Sequence, residues 1–183
     1  DIQALSLITH RTAAVCVETV QGDAGIRPLS SAYLSALRER CSQTGALLIL
    51  DEIQCGLGRT GALHAFQHTG VVPDILVLGK ALGGGMPIGA FVSSKEQMMA
   101  LRESPKLGHI TTFGGHPLAC AASAAFLNEL GQLDLSEITA TGERWKQALT
   151  DHPAVCEVRG MGHFLGVDLD GPERVAKLVA SAR

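Results

Sequence analysis

The chain has 183 residues, 46% hydrophobic and 18% charged, with a formal net charge of −3. That length and composition describe a packed globular protein with one domain and part of a second, and exclude a disordered chain. The weak negative charge and an aromatic content of 4% argue against nucleic acid as a partner; no apolar run is long enough to span a bilayer, and the start Asp1-Ile2-Gln3 has no leader pattern.

The first apolar run, 13–17, predicts a strand. A helix is predicted over 31–44, with Leu34, Leu37 and Cys41 on one face and Gly45 placed to end it. Further runs at 47–50, 75–78 and 89–92 are continuous rather than alternating, which predicts strands buried on both faces. Strand, helix, strand is the unit of an α/β fold, so a mostly parallel sheet flanked by helices is expected. Helices follow over 117–130 and 135–149. The first opens on Pro117 and carries Ala119, Ala121, Ala122, Ala124 and Ala125, small residues that permit close approach to a neighbour. Strands are predicted at 155–158 and 164–169 with a turn at Gly160-Met161-Gly162, then a helix over 173–181. A boundary near Pro153 divides the chain into a large domain, 1–152, and the start of a small α+β domain, 153–183. With no initiator methionine, the polypeptide is expected to begin upstream.

Two polar residues end buried strands: Asp51 after Leu47-Leu48-Ile49-Leu50, and Lys80 after Ile75-Leu76-Val77-Leu78-Gly79. Ligands of α/β sheets bind at the carboxyl ends of the strands. Taken singly, Asp51 reads as a helix cap and Lys80 as a solvated loop residue. Together they suit pyridoxal 5'-phosphate (PLP). A lysine with a lowered pKa binds the aldehyde as a Schiff base, and a carboxylate keeps the ring nitrogen protonated so that the ring accepts electrons. Other residue types give blander readings. The five cysteines have no CxxC pair and read as reduced, mostly buried thiols of a cytoplasmic protein. His64 and His68 have metal-ligand spacing but no third ligand, so a solvated helix face is expected and no metal. Gly83-Gly84-Gly85 precedes Met86-Pro87 rather than a helix and reads as a flexible turn. Gly56, Gly58 and Gly61 shape a loop. Arg59 is a structural ion-pair residue or a substrate ligand.

Four segments follow one another in a specific order: Val17-Glu18-Thr19-Val20-Gln21-Gly22-Asp23-Ala24-Gly25, Leu50-Asp51-Glu52-Ile53-Gln54-Cys55-Gly56-Leu57-Gly58-Arg59-Thr60-Gly61, Gly79-Lys80-Ala81-Leu82-Gly83-Gly84-Gly85-Met86-Pro87-Ile88-Gly89-Ala90, and Thr111-Thr112-Phe113-Gly114-Gly115-His116-Pro117-Leu118-Ala119. In that order they resemble the class III PLP-dependent aminotransferases, nearest the ornithine and acetylornithine branch. Val158-Arg159-Gly160-Met161-Gly162 resembles the opening of that family's C-terminal domain.

The resemblance implies a fold-type I large domain and a homodimer with shared active sites. It assigns Lys80 to the Schiff base, Asp51 to the pyridine nitrogen and Gln54 to the phenolic oxygen. Thr112 would bind the phosphate of the partner subunit's cofactor. Glu18 matches an active-site glutamate. Asp23 matches a position, usually glutamate, that pairs with a substrate-binding arginine. Thr19 stands where proline is usual and His116 where asparagine is common. The implied activity moves an amino group from an ω-amino acid or amine to a 2-oxo acid. An aminomutase, racemase or decarboxylase on the same scaffold, or a non-catalytic fragment, is the alternative. The family's phosphate-binding turn and ring-stacking aromatic residue would precede this segment, and its carboxylate-binding arginine would follow Arg183.

Overall fold

The computed structural model describes residues 2–103, 105–106 and 109–182. The predicted termini, Asp1 and Arg183, lie outside them. A four-stranded sheet forms the centre, in the order β1 (Ala14–Glu18), β4 (Leu47–Asp51), β5 (Ile75–Leu78), β6 (Ala90–Ser93). The first three strands are parallel and β6 is antiparallel to β5, so the sheet is mainly parallel, as the apolar runs predict. Between β1 and β4 run a two-residue ribbon, β2 (Val20–Gln21) with β3 (Arg27–Pro28), and the helix α1 (Ser31–Thr44). The side chain of Ser30 accepts the Tyr33 N–H at the start of α1, and Gly45 ends it in the left-handed region, as the sequence predicts.

The core forms where α1 lies on the sheet. Leu34, Leu37 and Cys41 of the helix pack with Leu48, Leu50, Leu76 and Leu78 of the two central strands. Full burial of such side chains stabilises by roughly 1.5–3 kcal/mol each. Burial on both faces, expected from the continuous apolar runs, holds only in part. The side chains of one parity in β4 and β5 are buried, and those of the other are half-buried. β1 and β6 are the edges of this sheet; β6 is largely exposed, and β1 alternates between exposed and half-buried residues before ending on the half-buried Glu18.

Three helices, a hairpin and a last helix follow: α2 (Lys95–Glu103), α3 (Pro117–Leu130), α4 (Leu135–Thr150), then β7 (Val155–Met161) with β8 (Phe164–Leu169), and α5 (Pro172–Ser181). The alanine-rich face of α3 allows the predicted close approach. A Cβ on Gly84 would stand 2.9 Å from the Ala122 carbonyl oxygen and 3.1 Å from Phe126 Cβ. The glycine run 83–85 is therefore a turn, as expected, with Gly84 against α3 and Gly85 open on its outer side. The predicted turn at 160–162 is shifted. Gly160 and Met161 pair with Leu165 and Phe164, so β7 runs through Met161 and the reversal falls at Gly162-His163. Phe164 and Met161 join Val20, Cys55 and Ala65 in a second small core that carries the hairpin against the loop after β4.

Candidate active site

β4 and β5 end side by side. Asp51, the last residue of β4, is paired in register with Glu18 of β1 on one side and Val77 of β5 on the other. Lys80 comes three residues after Val77 and one after Gly79. Its φ of 45° lies in the left-handed region, an uncommon conformation for lysine. Lys80 is exposed, whereas Asp51, Gln54 and Glu18 are half-buried. Lys80, Ala81, Ile53, Gln54, Arg59 and Phe164 line one cleft of 180 Å³.

Asp51 does two things. Its Oδ1 accepts the Ile53 N–H at 2.9 Å, the capping role open to it from sequence. Its Oδ2 has no hydrogen-bond partner among the described residues. Glu18 is held by its own turn, with Oε2 accepting the Gly22 N–H at 2.9 Å. The ends of three parallel strands and the loop after β4 therefore bring together Glu18, Asp51, Gln54 and Lys80.

Two candidates make no described hydrogen bond to this cluster. Asp23 sits exposed on the turn between β2 and β3. Thr112 sits exposed at the start of the turn before α3, which closes with a His116 N–H to Phe113 carbonyl bond. Among the described residues Thr112 makes no hydrogen bond to Lys80, Asp51 or Gln54.

Glu52 is the residue that sequence reasoning passed over. It is fully buried, with 0% exposure. Its carboxylate accepts the backbone N–H groups of Ala65 and Phe66, each at 2.7 Å, and the Thr19 hydroxyl at 3.1 Å. The signal was present: Leu48, Leu50 and Glu52 share one parity, and both leucines are core. His64 belongs to this cluster instead of a solvated helix face. Its Nδ1 lies 3.7 Å from Glu52 Oε2 and has no hydrogen-bond partner among the described residues, while the ring stacks on Phe66. Burial pulls the His64 pKa down, against an opposing upward pull from Glu52. His68 faces elsewhere, with Nε2 3.2 Å from the Thr60 hydroxyl.

Arg59 lines the cleft with Lys80 and makes no ion pair among the described residues, so the structural-pair expectation is corrected. Phe164 reaches the same cleft from β8, with nothing in the local sequence to announce it. The cysteines are free, but only Cys41 and Cys55 are buried; Cys16, Cys120 and Cys156 are exposed, because β1 is an edge strand and the other two lie on outward faces. Burial pushes the Cys55 thiol up to about 12. Among the described residues no cluster of three or more metal-binding side chains occurs, and no helix is long and apolar enough to cross a membrane.

A family model described as aminotransferase class III matches residues 1–183. The acetylornithine aminotransferase of Methanocaldococcus jannaschii is 43% identical over 187 residues, covering 98% of this chain and 46% of that relative. Ornithine aminotransferase 2 of Staphylococcus aureus is 45% identical over 179 residues, covering 95% and 44%. The structure of the ornithine aminotransferase of Toxoplasma gondii, which has PLP at partial occupancy in its active site, matches with a TM-score of 0.85 at 38% identity over 93% of this chain and 41% of that one. The chain thus spans less than half the length of these relatives.

Proposed function

The chain belongs to the class III aminotransferase family, and from that membership we propose that the full-length protein transfers an amino group from an ω-amino acid or amine to a 2-oxo acid, with PLP as its cofactor. An ornithine-like or acetylornithine-like donor is supported by the names of the relatives. The observation that carries the proposal is the placement of Lys80 and Asp51 at the carboxyl ends of adjacent parallel strands, with Gln54 and Lys80 in one cleft.

The residues present fit the cofactor. Lys80 offers a primary amine at an open cleft, Asp51 a carboxylate oxygen without a partner among the described residues, and Gln54 an amide on the same wall. When bound, PLP supplies an aldehyde for amines and an electron-accepting ring. Lys80 would hold the group covalently through Nζ, and when released its amine would move a proton at the reacting carbon. Asp51 Oδ2 would keep a proton on the ring nitrogen. Gln54 would donate a hydrogen bond to the phenolic oxygen, and Glu18, fixed by the Gly22 N–H, would face the substrate side. Asp23 would meet the substrate-binding region from the β2–β3 turn.

The same proposal includes a homodimer in which Thr112 reaches the partner's site; its exposure, and the lack of a hydrogen bond to Lys80, Asp51 or Gln54 among the described residues, support that reading. It also includes a large domain over 1–152, a small one beginning at 153, and a reducing, cytoplasmic setting, supported by free thiols. Borohydride reduction of the full-length holoenzyme followed by peptide mapping tests the core of it. The pyridoxyl group is expected on Lys80, and label on any other lysine refutes the assignment.

A further inference from the structure

Gln54 leaves the backbone in the loop after β4, and its side chain runs back over the turn that follows β2. Gly22 lies directly beneath the amide. A Cβ built on Gly22 would overlap Gln54 Oε1 and stand 2.8 Å from Cδ and 3.2 Å from Nε2. No real Cβ tolerates the first two approaches, and the Gln54 amide is the nearest group there. Gly22 is buried, and its φ lies outside the left-handed region, so the backbone itself would accept alanine. What forbids a side chain at Gly22 is therefore the far end of one flexible side chain that lines the Lys80 cleft.

The same residue holds Glu18. The Gly22 N–H donates to Glu18 Oε2 at 2.9 Å, while the Gly22 carbonyl accepts from Gly25 and Ile26 at 3.1 and 3.2 Å. One glycine thus ties down the turn, restrains a carboxylate at the end of β1 and leaves the space in which an amide from the next strand's loop can lie.

We propose that Gly22 is a positioning residue for the amino-transfer site, acting through Gln54: its missing side chain leaves the space that lets the Gln54 amide lie on the cleft wall beside Lys80. The inference rests on the reading of Gln54 as a residue that faces the cofactor. A substitution at Gly22 evicts a mobile side chain and not a piece of core, so it alters the site while the fold survives.

The test is a double-mutant cycle in the full-length holoenzyme with Gly22→Ala, Gln54→Ala and the pair. Loss of one hydrogen bond to a developing charge costs about tenfold in rate, so each single variant is expected to lower kcat by about that factor, with a smaller change in KM. The visible absorption of the bound cofactor and the pH midpoint of that band should shift in the same direction in both. The urea midpoint and borohydride labelling of Lys80 should stay unchanged in Gly22→Ala. The pair should lie within about twofold of Gln54→Ala, because the amide is already gone. A wild-type kcat and spectrum in Gly22→Ala would overturn the proposal, as would a double variant that multiplies the two losses. Failure of the double variant to fold would also overturn it, since the glycine would then be needed against some other neighbour. A crystal structure of Gly22→Ala tests the displacement independently of any cofactor. Gln54 moved off Gly22 supports the inference, and Gln54 in place refutes it even where Lys80 labelling has failed and the cofactor reading with it.

Discussion

Glu52→Gln is the smallest change that interrogates the buried carboxylate behind the site. Glu52 is 0% exposed and accepts three hydrogen bonds, from Ala65 N, Phe66 N and the Thr19 hydroxyl. The amide keeps the volume but has only one acceptor oxygen. In one orientation its NH2 group faces the Ala65 N–H, and in the other it faces that of Phe66, so a donor meets a donor either way. One charge-assisted bond worth about 1.5–3 kcal/mol is lost, and one buried N–H is left unpaired at about 1–3 kcal/mol. The easier burial of a neutral amide offsets part of this, leaving a net loss of about 3 kcal/mol. Glu52→Ala strands all three donors and opens a cavity, for about 4–5 kcal/mol. Urea unfolding of the full-length protein, followed by circular dichroism, measures both through the midpoint at constant slope. A loss below about 0.5 kcal/mol in Glu52→Gln would refute the view that this carboxylate pins the loop 64–66 to the ends of β1 and β4.

Other perturbations have equally definite outcomes. Asp51→Asn should retain the cofactor yet slow the amino-transfer half-reaction by a hundredfold or more, about 3 kcal/mol of barrier; near-normal turnover in single-turnover spectroscopy would leave Asp51 only its cap on Ile53. His64 has its pKa lowered from 6.5 by burial, so the unfolded chain binds more protons. Its contribution to stability is therefore present above pH 6.5 and lost as pH falls through the folded value, and His64→Phe, which keeps the stacking on Phe66, should flatten the acid side of the stability profile. Mixing Lys80→Ala and Thr112→Ala subunits should restore tight cofactor binding in verified heterodimers, and no restoration would place Thr112 in its own subunit's site.

The strand ends were the legible part of the site. Continuous apolar runs located β1, β4, β5 and β6 within a residue, and the rule that ligands gather at strand carboxyl ends singled out Asp51 and Lys80 before any geometry was known. Covering of the sheet faces was not legible, because a run such as Leu47-Leu48-Ile49-Leu50 reads the same whether its second face is packed or half-open. The ribbon of β2 with β3 is two residues a side, too short for any period to register. Helix α2 is only nine residues long, and its Met98 and Met99 lie on an exposed surface rather than in the core. Glu52 and Gly22 were missed for a different reason. Both act through contacts with chain distant in sequence, 13 residues on for Ala65 and 32 on for Gln54, and nothing local distinguishes a buried glutamate from a solvated one except its parity with Leu48 and Leu50.

The backbone of Lys80 shows what the long-range contacts accomplish. A left-handed lysine costs roughly 1–2 kcal/mol, and such a conformation persists only where its surroundings over-determine it. Here they do. The Leu82 N–H bonds the Gly79 carbonyl at 2.9 Å and the Gly84 N–H bonds the Ala81 carbonyl at 3.0 Å, so the turn on both sides of the lysine is closed. Leu82 is buried in the main core, and α3 rests on Gly84. The strain at Lys80 is thus held by Gly79, Leu82 and Gly84, which lie outside the cleft lining, together with Ala81, which is part of it. The backbone of the lysine is set by the packing of β5, its turn and α3, and Asp51 is held by its cap on Ile53. Lys80 and Asp51 are thus each placed by contacts within a segment less than half the length of its relatives.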